Sequence, residues 1–106
     1  MTANRRPPAT LGAAGKRFWR RISAEVDVEL CQLDVLEQAC LALDRIEDCR
    51  QRIDADGPMV DDRFGQRKPH PLLAAERDAR SAFRMLYAQM GLTLEPAGEQ
   101  GRPVED

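Results

Sequence analysis

From Val35 to Ile53 the apolar residues Val35, Ala39, Ala42, Ile46, Cys49 and Ile53 recur at alternating steps of four and three. An α-helix, turning about 100° per residue, is the element that gathers such positions on one side. Leu36 and Leu43 widen the stripe, and Asp34, Glu37, Asp44, Arg45, Asp48 and Arg52 take the other side. Asp34 is an N-cap type of residue with Glu37 three places on, and Gly57-Pro58 follows, so the helix is expected between them. A second run, Leu72, Ala75, Ala79, Ala82, Phe83, Leu86 and Met90, has the same period, with Pro71 suited to its first turn and Gly91 to its stop. Residues 57–70 between them are rich in Gly, Pro and charge, with Met59, Val60 and Phe64 as the large apolar groups. This connector is compatible with a short β-hairpin. Two long amphipathic helices joined by a compact connector predict an antiparallel helical hairpin.

A shorter helix is expected from about Ala14 to Val26. Phe18, Trp19, Ile22 and Val26 share one arc of it, and Lys16, Arg17, Arg20 and Arg21 fill much of the opposite arc. The fold class is therefore all-α, with a basic amphipathic helix packed across the hairpin through Phe18 and Trp19. Residues 1–12 are Pro-, Ala- and Arg-rich and are expected to be a disordered basic arm; residues 13–91 form the helical domain; residues 92–106 read as a disordered acidic tail. About 75 residues then remain to make a core, a size at which burial is marginal and self-association is favoured. Leu41, in the middle of the charged side of the long helix, is the candidate interface residue.

Charge is segregated along the chain. Residues 1–24 hold six basic side chains (Arg5, Arg6, Lys16, Arg17, Arg20 and Arg21) and no acidic one, while the remaining 82 hold ten basic and eighteen acidic. A basic arm and helix on an acidic body suit contact with nucleic-acid phosphates, and a solubilising tail is the bland alternative. Arg77, Arg80 and Arg84 make a second basic stripe. It can pair with the acidic side of the long helix, in the same subunit or a neighbouring one, or contact DNA; pairing is favoured.

Few residues could carry chemistry. His70, the single histidine, stands between Pro69 and Pro71 without a recognisable Ser or Cys partner, and Gly12 and Gly15 match no phosphate-binding pattern. Asp44, Glu47 and Asp48 are interleaved with Arg45, Arg50 and Arg52, as on a salt-bridged surface. Cys31, Cys40 and Cys49 are nine residues apart, each turned about 180° from the last on a helix, so they do not converge on a metal. They read as small core or border residues in a reducing cytoplasm. No catalytic residues, metal or cofactor are expected, and no membrane span or secretory signal is visible.

The order of these features resembles the phage terminase small-subunit family. A Pro-rich start is followed by Gly15-Lys16-Arg17-Phe18-Trp19 and an Asp-led long helix closed by Gly57. Gly65 in the connector leads to His70-Pro71-Leu72, where many members have Asn-Pro, and the final helix ends in Met90-Gly91-Leu92-Thr93. The resemblance covers roughly residues 7–93. It implies a non-catalytic DNA-recognition subunit that assembles into a homo-oligomeric ring, binds the packaging region of double-stranded phage DNA and delivers it to the large ATPase/nuclease subunit. On that reading Arg5, Arg6, Lys16, Arg17, Arg20 and Arg21 hold DNA, and Leu41, Arg77, Arg80 and Arg84 face other subunits. Where members often continue with Pro and a basic segment, this chain has Leu94-Glu95-Pro96 and an acidic end. Two other readings are a helical protein–protein adaptor without DNA binding and a small helical transcription regulator. The acidic step after the first helix, with no second basic helix beyond a tight turn, speaks against the regulator.

Overall fold

The computed structural model describes residues 6–91. Three helices carry the chain: α1 (Ala13–Glu25), α2 (Leu33–Asp56) and α3 (Leu72–Gln89). A single 3₁₀ turn, Leu30–Gln32, leads directly into α2. That turn corrects one expectation, because Asp34 lies inside the first turn of α2 and the N-cap position is Gln32, which makes no side-chain cap.

The helices α2 and α3 form the expected antiparallel hairpin. Gln32 at the start of α2 donates to the Met90 carbonyl at the end of α3, at 3.2 Å. At the other end Asp56 of α2 meets His70, just ahead of α3, at 2.9 Å. The fold is not strictly all-α, however. The connector folds as a two-stranded antiparallel sheet of β1 (Met59–Asp61) and β2 (Arg67–Pro69), with Met59 opposite Pro69 and Asp61 opposite Arg67. Helical periodicity carries no information about it, since neither strand is long enough to show alternation. The hairpin instead follows from its turn. Asp62 accepts the Phe64 and Gln66 amides on Oδ1, at 2.8 and 2.9 Å, and Gly65 takes a left-handed φ of 80°. Gly65 N–H donates to the Asp62 carbonyl and Asp62 N–H to the Gln66 carbonyl. This is the three-residue loop in which a tight turn closes on a left-handed glycine, a geometry that costs little only without a Cβ.

The core gathers Trp19 and Ile22 of α1, Leu36, Ala39 and Cys40 of α2, and Leu11, Val28 and Met90 from flanking segments. Phe18, Phe83 and Tyr87 pack against it. Leu11, which the sequence places in the arm, is only 4% exposed, so ordered packing begins ahead of α1. Cys40 and Cys49 are buried as expected, whereas Cys31 stands exposed in the 3₁₀ turn.

Candidate nucleic-acid interface

The helix α1 begins without a cap of its own. Gly12 at the N-cap position has no side chain to offer, and the first turn contains no acid. The exposed N–H groups at a helix start need an acceptor. It comes from another helix: Asp44 of α2 accepts the Gly12 amide on Oδ2 and the Gly15 amide on Oδ1, both at 2.7 Å. The carboxylate also places negative charge against the positive end of the α1 dipole. Close approach is possible because residue 15 is glycine. A Cβ there would stand 2.6 Å from Asp44 Oδ2 and 2.9 Å from the Cys40 carbonyl oxygen. Cys40 itself is an inert neighbour: burial first, then the negative charges of Asp44 and Glu37, pushes its thiol up to about 12.

Further along, α1 is held by its apolar side. Trp19 (5% exposed) and Ile22 enter the core. Phe18 meets Phe83 of α3 edge-on, with ring centroids 5.4 Å apart, and Tyr87 at 6.1 Å. Both aromatic residues of α1 therefore pack inward, as their shared arc predicts. That fixes which side faces out. Arg17, Arg20 and Arg21 are exposed and Lys16 is half-buried. None of the four makes an ion pair within 4.0 Å among the described residues. They lie within roughly 7.5 Å of helix axis, at a rise of about 1.5 Å per residue. Arg6 is exposed ahead of the helix, and Arg5 lies outside the described residues.

The stripe on α3 does not act as a unit. Arg80 pairs with Glu76 on its own helix, at 2.7 Å, and Glu76 is shared with Arg50 of α2, at 3.3 Å. Glu76 is buried. Hydrogen bonds from Arg80, with the adjacent charge of Arg50, hold its carboxyl below the usual range. Arg77 reaches only its neighbour Asp78, at 3.9 Å, and Arg84 makes no ion pair among the described residues. Leu41 is 37% exposed and stands at an open groove of about 1120 Å³ that runs between α2 and α3 and is closed at one side by Thr10, Gly12 and the start of α1 (Ala13 and Ala14). The groove's apolar lining includes Leu41, Ala42, Ala75, Ala82 and Leu86.

Three contacts escape a reading of the sequence. The Asp44 cap needs two helices to meet, although a helix opening on Gly12 and Gly15 with no Ser, Thr, Asp or Asn at its start hints at a cap from elsewhere. His70, 7% exposed, bridges the hairpin's end: its Nδ1 accepts the Leu72 amide at 3.1 Å, so Nε2 carries the hydrogen and donates to Asp56. Phe64, at the tip of the β-hairpin, is 78% exposed with the Arg63 guanidinium over its ring at 5.3 Å. Among the described residues no three His, Cys, Asp or Glu side chains gather as a metal site, and no helix is long and apolar enough to cross a membrane.

Comparison with known proteins gives one family. The family model described as phage terminase, small subunit, matches residues 15–103, most of the chain. No curated protein and no solved structure gives a significant match.

Proposed function

Because this chain belongs to the phage terminase small-subunit family and so has its role in phage DNA packaging, we propose that it is the DNA-recognition subunit, gripping duplex DNA through the outer side of α1. The observation that carries this reading is the cluster of Lys16, Arg17, Arg20 and Arg21 on a helix whose other side is locked into the core, with no acidic partner drawn to it among the described residues. A surface of this kind binds phosphates by releasing counterions, and several cations must act together for useful affinity. Assembly into a closed homo-oligomeric ring multiplies them, and the open groove with Leu41 at its side offers apolar surface for a neighbouring subunit. The subunit brings packaging-site DNA to the large ATPase/nuclease subunit in the host cytoplasm and supplies no catalytic group itself. Arg77 and Arg84 remain available to a neighbouring subunit; Arg80 is engaged within its own.

The test is a salt titration of duplex binding for the parent and for a variant with Lys16, Arg17, Arg20 and Arg21 changed to Gln, which keeps helix propensity close to that of Lys and Arg. The parent should lose affinity log-linearly with salt, and the variant should bind weakly with a flattened slope. Equal affinity and slope for the two would remove α1 as the DNA surface. Arg5→Gln with Arg6→Gln should flatten the slope by a smaller amount. Deletion of residues 1–12 is the poorer experiment, since it also removes buried Leu11 and the Gly12 amide that Asp44 accepts.

A further inference from the structure

Two features of the fold lie outside the DNA-binding surface. One is a knob: Phe64 stands 78% exposed at the tip of the β1–β2 hairpin. Its position is built, because both the Asp62 carboxylate and the tight turn hold the backbone on either side of it. A single exposed apolar side chain is ordinary; this one is presented on a braced turn, with a guanidinium across one side of its ring. The other feature is a seat. The α2–α3 groove, about 1120 Å³, has an alanine-rich lining in Ala42, Ala75, Ala79 and Ala82, and so has room for a whole turn as well as one ring. The hairpin cannot reach its own groove, since β1 starts two residues beyond Gly57 and its tip is solvent-exposed.

We propose that the Phe64 tip of the β1–β2 hairpin seats in the α2–α3 groove of a second copy of this chain. This rests on the homo-oligomer reading above. Charge supports a second copy as the occupant. Arg67 is paired with Asp61 and the Asp62 carboxylate is taken up by the turn amides, so Arg63 and Lys68 leave the tip one net positive charge. Around the groove, Arg52 is paired with Asp56, Asp78 with Arg77, and Asp44 caps α1, which leaves Glu47 and Asp48 against Arg45. A basic tip thus meets an acidic rim. The knob and the seat are different patches, so the contact is head-to-tail, the kind that closes a ring when the rotation between copies allows.

The test is a double-mutant cycle on the full chain, read by native mass spectrometry over a dilution series, with circular dichroism to confirm unchanged helix content. Phe64→Ser removes the knob, and Ala82→Gln fills the seat with a helix-compatible side chain. Each should raise the concentration at which half the assembly dissociates by about tenfold or more, as expected of a central anchor. Together they should do no more than the stronger of the two, because both remove one contact. A Phe64→Ser midpoint within about twofold of the parent, or a combined shift equal to the product of the single ones, would overturn the knob-and-seat contact while leaving oligomerisation intact. A parent that is monomeric throughout would instead remove the homo-oligomer reading itself.

Discussion

Asp44 and Gly15 stand on different helices, yet the carboxylate of one completes the hydrogen bonding of the other at 2.7 Å, and the absence of a Cβ at residue 15 is what admits it. Gly15→Ala should therefore destabilise the protomer by about 1–3 kcal/mol, the usual range for overpacking, despite the better helix propensity of alanine. Asp44→Ala should cost about 2 kcal/mol, since two amides lose a charged acceptor. Urea denaturation followed by circular dichroism measures both. The double variant should cost less than the sum, because alanine at residue 15 has less to collide with once the carboxylate is gone.

Trp19 tests the packing of the cationic helix. Its replacement by alanine is expected to remove roughly 3–5 kcal/mol, the range for deleting a large buried aromatic. The readout is the denaturant midpoint, with duplex affinity measured well below that midpoint. Unchanged stability with lost DNA binding would place Trp19 against nucleic acid and contradict its burial.

Acid should weaken the α2–α3 pairing through Glu76. Its carboxyl is held below the ordinary value of 4.5 by Arg80 and Arg50, so the folded protein binds that proton less readily than the unfolded chain. The contribution is then fully present above pH 4.5 and fades as pH falls below it, through the lowered folded value. Glu76→Gln should be less stable than the parent at pH 7, and the gap should narrow on acidification to about pH 3. Equal gaps at the two pH values would show that the ion pairs contribute nothing.

His70 separates two roles within one side chain. His70→Asn keeps a side-chain acceptor for the Leu72 amide but loses the reach to Asp56, whereas His70→Ala loses both. Alanine should cost more than asparagine by about 1 kcal/mol, the typical value of a helix cap. Thermal melts of the two variants against the parent decide it.

The helices were legible because each buries one continuous stripe, and period alone reveals a stripe. The ends of α3 were readable too, from Pro71 and Gly91. The start of α2 was not, since the 3₁₀ turn at Leu30–Gln32 continues the helix backward past Asp34, and Gln32 at the N-cap position makes no side-chain cap that a sequence could signal. Among the site residues, Lys16, Arg17, Arg20 and Arg21 could be placed on one outer arc because Phe18, Trp19 and Ile22 claim the inner one. Arg80 is separable from Arg77 and Arg84 by spacing, because it alone of the three has an acid, Glu76, four residues before it on the same helix. The further pairing of Glu76 with Arg50, between residues 26 apart in sequence, is what no spacing shows.

The anchoring of α1 at both its N-terminus and its aromatic side has a thermodynamic consequence for any polyanion it meets. Asp44 holds its first turn and Phe18 ties its middle to Phe83, so the helix is ordered before a ligand arrives. Association with duplex DNA then carries no coupled-folding signature in this segment. The heat-capacity change should be small, without the large negative value seen when a basic segment folds as it binds. In the proposed ring, the spacing between cationic clusters on adjacent subunits would be a rigid property of the assembly, and bent or groove-narrowed duplexes that match it would be preferred without any side chain reading a base.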